Sequence, residues 1–451
     1  MLRDAYADTL VAALVHDRFV PIWVDADRRP DISERYSLGG WPTTAFLTPD
    51  ARLLGGETYA TAERLMELLP KVADAFARQR TVLKNEENEG EERIHHPVSL
   101  ATGLDPSLDG WVATHLLEQF DAEYGGFGAG AKRIHGDALE LARQYVRAGD
   151  SAFVPVVERT LRAMAFGGLY DHRDGGVFRF CARRDWTDPS TEKLLAVNAT
   201  ALRLFLDDDE NEANDWHERA VDLLRFVRRT FVQQGSDHVG FSASRRADPG
   251  YYTADLDETG GLPPPVDTSV YADSTALMAR AYVRAAGVFK DDSLLAFATD
   301  AVERVVVDTY ERGGGIAHQA DAASYVRGLL TDQVRTSAAL VDLYTTTARD
   351  AYLDMAQELM HFAIRRLWDR DAGGFRDRVH DDDDIGLLHE PLRPYQLNCE
   401  AARVLARLAS LAEEPAFRER AMNTLASQNA VVRANGVDAA AYVVAMREIE
   451  A

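Results

Sequence analysis

The densest run of chemically capable side chains lies between residues 170 and 193. It reads Tyr170-Asp-His-Arg-Asp-Gly-Gly-Val-Phe-Arg-Phe-Cys-Ala-Arg-Arg-Asp-Trp186, then Pro189-Ser-Thr-Glu-Lys193. His172 stands beside Asp171, with Glu192 nearby, and such a group can serve as general base. Trp186 could stack on a sugar ring, and Arg179 and Asn198 could bind polar groups. The same Asp171 and His172 could instead tie loop backbone together, as turn carboxylates do. Elsewhere His318 and His389 are possible acid or base partners, and Asp273, Asn398 and Glu400 are further binding candidates. Cleavage of a glycosidic bond would call on two carboxylates from among Asp171, Glu192, Asp273 and Glu400. No close spacing of His, Cys, Asp and Glu suits a metal; His95-His96 and the run Asp381 to Asp384 read as solvated. No cofactor is implied either.

Those residues hang on a recurring phrase, an acidic residue followed by glycines and an aromatic. It occurs as Asp121-Ala-Glu-Tyr-Gly-Gly-Phe127, Asp171 to Phe178, Asp237-His-Val-Gly-Phe241, Tyr310-Glu-Arg-Gly-Gly-Gly315 and Asp369-Arg-Asp-Ala-Gly-Gly-Phe375. The copies stand roughly 50 to 75 residues apart, as in a ring or array of supersecondary units. Between them the apolar spacing predicts twelve helices: 107–119, 137–148, 151–166, 190–206, 213–232, 268–286, 292–310, 331–347, 350–368, 394–412, 415–432 and 436–449. Twelve helices in hairpins imply an all-α (α/α)6 toroid over 99–451, with every glycine phrase at one rim around a pocket. The first turns of the inner helices are polar there (Thr191, Glu192, Tyr271, Asp273, Ser274, Asp332, Gln333, Tyr395), though Ser, Thr and Asp at helix starts are often caps. Deeper positions read as Ala- and Leu-rich.

Residues 1–80 follow another pattern. A helix over 4–15, a buried strand at Phe19–Val24, a helix, strands at 41–47 and 52–56 and a helix over 62–80 give α-β-α-β-β-α. That order resembles a thioredoxin fold lacking its opening strand. An acidic linker, 81–98, follows. Val24-Asp-Ala-Asp-Arg-Arg-Pro-Asp-Ile32, Gly39-Gly-Trp-Pro-Thr44, Phe46-Leu-Thr-Pro-Asp50 and Gly55-Gly-Glu-Thr-Tyr59 resemble the signature of thioredoxin-domain proteins with a C-terminal α/α barrel, the spermatogenesis-associated thioredoxin-like family. Asp171, His172, Arg179, Trp186, Glu192, Lys193 and Asn198 keep that family's barrel pattern. Ser190, Val197 and Ser274-Thr275-Ala276 depart from its His, Asp and Trp-Asn-Gly. The family's Cys-His-Trp-Cys-His stretch is missing: either the gene starts upstream of Met1, or the domain has lost its redox chemistry. As written, the chain cannot exchange disulfides, since Cys181 and Cys399 stand apart and outside any Cys-x-x-Cys.

The resemblance implies a barrel like those of N-acylglucosamine 2-epimerases and six-hairpin glycosidases. It implies a sugar epimerase- or isomerase-like enzyme; the missing cysteine pair and the altered rim favour instead a non-catalytic or redox-accessory protein that binds a sugar or protein client. Composition narrows the partners. A net charge of -23 argues against a nucleic-acid or anionic-membrane partner, and no apolar run is long enough to span a bilayer. With no secretion signal visible, a cytoplasmic location is expected. Only five of the 50 basic residues are lysine, a balance that suits a salt-rich cytoplasm.

Overall fold

The structure is a computed structural model that describes residues 2–40, 42–86, 103–206, 215–235, 239–253, 261–320 and 326–451. His95-His96 with most of the expected linker, Trp41 and the Asp237-His238 start of the third glycine phrase lie outside these residues. The chain divides into two compact units, Met1–Val98 with His380–Leu392 and Ser99–Val379 with Arg393–Ala451.

In the first unit, α1 (Leu2–Ala7) and α2 (Thr9–Arg18) stand where one helix was expected. Asp8 separates them because its carboxylate accepts the amides of Leu10 and Val11 and caps α2. Helix α3 (Pro30–Tyr36) opens on a proline, which suits a first helical position. Strand β1 (Thr43–Leu47) pairs antiparallel with β2 (Leu53–Thr58), Thr43 opposite Thr58, and α4 (Ala62–Glu86) closes a small core of Val11, Phe46, Leu65 and Leu69. Among the described residues the expected buried strand at Phe19–Val24 belongs to no sheet, and Val20 is 88%, Ile22 78% and Trp23 69% exposed. An apolar run is buried as a strand only where a neighbouring strand takes up its backbone, and among the described residues β1 is paired with β2 alone. His380–Leu392 is sewn to α3: Arg35 donates to the carbonyls of Leu387 and Glu390, each at 2.9 Å.

In the second unit the outer helices are α5 (Ser107–Gln119), α7 (Val154–Phe166), α9 (Asp215–Thr230), α12 (Asp292–Thr309), α14 (Asp350–Arg366) and α16 (Pro415–Ala426). They alternate with the inner helices α6 (Gly136–Arg147), α8 (Leu195–Leu206), α11 (Ala272–Phe289), α13 (Leu330–Thr347), α15 (Tyr395–Leu411) and α17 (Ala440–Glu450). Each inner helix touches the next, α6 to α8, α11, α13, α15 and α17, and α17 returns to α6. The ring is therefore closed. Short strands and one helical turn, α10 (Pro249–Thr253), decorate the loops: β3 (Lys193–Leu194), β6 (Ser244–Arg245) and β7 (Val266–Asp267) form one sheet, and β4 (Val232–Gln234) pairs with β5 (Val239–Phe241). Runs of two or three residues are too short to show strand alternation in sequence.

The glycine phrases share one construction. Asp121, Asp171 and Asp369 each accept two amides of their own loop, and each backbone N–H bonds the second glycine's carbonyl at 2.8–2.9 Å. Glycine is required at positions such as Gly176, at φ +81°, where an added Cβ would clash with the Phe226 ring. Cations answer the carboxylates: buried Lys132 and half-exposed Arg184 on Asp121, buried Lys193 on Asp171, and the partly exposed Arg376 and Arg393 on Asp369. From the inner helix behind, an amide clamps the residue after the glycines. Asn198 bonds both backbone groups of Val177, Gln333 those of Ile316 and Asn398 those of Phe375, at 2.7–3.1 Å.

Candidate functional site

The residues singled out between 171 and 198 are largely spent on this rim. Asp171 is 4% exposed and bound to Lys193 and to loop amides, so it ties the loop together. Burial draws the Lys193 ammonium down to about 8, opposed by Asp171. His172 is exposed, its ring tilted against Tyr170 at 5.4 Å. Trp186 is 1% exposed, with Nε1 donating to the Tyr124 carbonyl at 2.9 Å, and offers no face to a sugar. Arg179 and Glu192 pair with each other at 3.0 Å, both about one-third exposed. Asn198 and Asn398 are clamps. His389 is exposed and falls in the first unit.

A different group assembles where the inner helices begin. The chain leaves the fourth phrase through Gly315-Ile-Ala-His318, whose carbonyl accepts the first amide of α11 at 2.9 Å. That bond holds His318 over the N-terminal turns of α11 and α13. Its Nδ1 meets Oδ1 of Asp332 at 2.9 Å, with the two side chains 5% and 0% exposed. The Tyr271 ring stacks on the imidazole at 4.9 Å and 25°. Asp273, His318 and Asp332 each bring one oxygen or nitrogen to within 4.8 Å of the others. Burial pushes the Asp332 carboxyl up, although His318 pulls it back. One turn further along α13, Arg335 donates to Asp273 at 3.0 Å and, through two nitrogens, to Glu400 at 3.1 and 3.3 Å. Burial opposes the Arg335 charge, but Glu400 and Asp273 more than compensate and its pKa rises. The sequence pointed to Asp273, His318 and Glu400; it did not foretell that Arg335 joins two of them.

A second histidine, His135, went unread. It immediately precedes α6, and its Nδ1 meets Oδ1 of Asp438 at 2.8 Å in the turn before α17. Arg133 holds the other oxygen of Asp438 at 2.9 Å and approaches Nε2 of His135 at 3.4 Å. Burial raises the Asp438 carboxyl, but the His135 bond and Arg133 bring it below its usual range. Helices α6 and α13 are three steps apart in either direction round the ring, so the two His–Asp pairs begin opposite helices at the same rim. Nothing in sequence links residues 135 and 438.

Below the mouth the lining is not the Ala- and Leu-rich bottom expected. Arg403 on α15 binds Asp137 at 3.5 Å and Glu140 at 2.6 Å on α6, and Glu448 on α17 at 2.6 Å. Because α15 and α6 are not neighbours, Arg403 reaches across the ring. Arg280 and Arg407 share Asp342 at 2.7 and 2.6 Å. The interior is therefore polar and charge-paired, fit for a hydroxyl-rich ligand and hostile to an apolar one.

Comparison with known proteins agrees with both halves. Residues 1–95 match the family described as Thioredox_DsbH, protein of unknown function, DUF255. The chain is 25% identical to the uncharacterized protein B0495.5 of Caenorhabditis elegans over 276 residues, which cover 55% of this chain and 37% of that protein. It is also 25% identical to spermatogenesis-associated protein 20 of Mus musculus over 281 residues, 55% of this chain and 34% of that one. The chain thus spans about a third of the length of these relatives. Among solved structures, the cellobiose 2-epimerase of Spirochaeta thermophila superposes with a TM-score of 0.59 at 16% identity, over 77% of this chain and 99% of that one. A D-mannose isomerase gives 0.56 at 10% identity, over 72% and 87%. The protein joins a DUF255-type thioredoxin-like N-terminal part to an (α/α)6 toroid with the fold of these sugar-converting enzymes.

Proposed function

We propose that the mouth of the toroid binds a sugar and moves a proton at the carbon beside its carbonyl, as an epimerase or isomerase does. The observation that carries it is the pair of histidines, His318 and His135, each held through Nδ1 by a carboxylate at one rim of the ring. An Nδ1–H bonded to a carboxylate leaves Nε2 as the basic nitrogen. Two such bases let a proton leave one face of a carbon and return to the same or the other. Arg335, with Asp273 and Glu400 on either side, supplies donors and acceptors for substrate hydroxyls. The fold shared with a cellobiose 2-epimerase and a D-mannose isomerase supports the substrate class. The acidic, lysine-poor surface supports activity in molar salt. Binding of a sugar without turnover is the second reading, favoured by the ion pairs that span the interior. The test is deuterium incorporation at C2 of mannose and of cellobiose in heavy water, followed by NMR in 2 M KCl. The wild-type chain should exchange, and His318→Ala or His135→Ala should slow exchange by at least about 100-fold. No exchange by the wild type, or undiminished exchange by both variants, would refute turnover.

A further inference from the structure

We infer that Asp273, His318 and Asp332 form a site for one divalent first-row transition-metal cation. Each supplies one ligand atom, and the three atoms lie within 4.8 Å of one another. Around a cation with bonds of about 2.0–2.2 Å, neighbouring ligand atoms stand roughly 3–4 Å apart, so the triplet needs little adjustment. An independent feature points the same way. Asp332 is 0% exposed, and its Oδ2 has no hydrogen-bond partner among the described residues, while Oδ1 is engaged by His318. A buried carboxylate with an unanswered oxygen is costly, and a cation placed between the three groups answers it.

The donor set fixes the class of cation. One imidazole with two carboxylates suits Mn2+, Fe2+, Co2+ or Zn2+, whereas Ca2+ and Mg2+ prefer oxygen alone. Arg335 holds Asp273 at 3.0 Å and so orients that ligand from outside. Sequence spacing hides the triplet because its members come from the first turn of α11, a loop and the first turn of α13. The inference goes beyond the proton-transfer proposal and does not depend on it. His318 cannot be ligand and base at once, so the cation-loaded and base-competent forms are alternative states of one triplet.

The test uses the full chain, stripped with EDTA and returned to metal-free buffer in 2 M KCl to screen surface carboxylates. MnCl2 is titrated while free Mn2+ is read by electron paramagnetic resonance, and ZnCl2 is titrated by calorimetry. One cation per chain is expected to bind, with Asp332→Asn and Asp273→Asn each weakening it at least about tenfold. Asp382→Asn, in the exposed acidic run, should bind as the wild type does. If an Asn variant does not fold, imidazole NMR of the wild type decides: saturating Zn2+ should move the His318 ring resonances. Absence of saturable Mn2+ and Zn2+ binding, wild-type affinity in both folded Asn variants, or unmoved His318 resonances at saturation would each overturn the site. A chain that exchanges deuterium but holds no cation sinks this inference alone; one that holds a cation but never exchanges sinks the proposed turnover alone.

Discussion

Asp137, in the first turn of α6, shows what the ring interior does to a single side chain. Burial pushes its carboxyl up to about 6, against the pull of Arg403 and with the help of Glu140 and Glu400. Unfolded, the same group titrates near about 4. Between those values the folded chain binds the extra proton, so stability should rise as pH falls from about 6 to about 4. Asp137→Asn should flatten that part of the profile, measured as the urea midpoint against pH. An unchanged slope would assign the titration to another group. Asp121 acts with the opposite sign. Burial raises its carboxyl, but Arg184 and Lys132 outweigh that and hold it well below its usual range. Its contribution is present above about 4 and is lost as pH falls further.

Among elements, the repeated loop with its amide clamp is the unit that builds the rim. Asn198, Gln333 and Asn398 leave different inner helices yet make the same three bonds, two to the residue after the glycines and one to the carbonyl four residues back. Asn398→Ala should strand the amide and carbonyl of Phe375, at a cost of about 2–3 kcal/mol in denaturant unfolding. A loss below about 0.5 kcal/mol would mean that the loop satisfies these groups by itself. In sequence the polar type and position of Asn198 and Asn398 were legible, but a buried amide looks the same whether it faces a ligand or a backbone. His172 and Trp186 misled for a related reason. Their residue types suit chemistry, and only packing sends one outward to solvent and the other under a loop.

For the molecule as a whole, the charge is the dominant fact. Of its five lysines, Lys132 and Lys193 are buried as partners of Asp121 and Asp171, where each holds a loop. With a net charge of -23, self-repulsion should weaken the fold at low ionic strength. Thermal unfolding should move upward from 0.1 to 2 M KCl as the screening length shrinks from about 10 Å to a few ångströms. A neutral osmolyte at equal osmolality should do much less, and a flat or falling response to KCl would contradict salt adaptation. Among the described residues no helix is long and apolar enough to cross a membrane.

By itself the sequence settled the period and therefore the ring. Helical spacing and glycine phrases are local signals, and hairpins repeated at near-constant intervals close in few ways. It also marked Asp273, His318 and Glu400 as capable residues. Tertiary structure alone decided which carboxylates meet which histidines, because Asp332 with His318 and Asp438 with His135 join elements 14 and 303 residues apart. It alone showed that among the described residues Phe19–Val24 joins no sheet, and that arginine–carboxylate pairs span the ring interior. Partnership across a closed ring is a property of distance in space, and no periodicity along the chain records it.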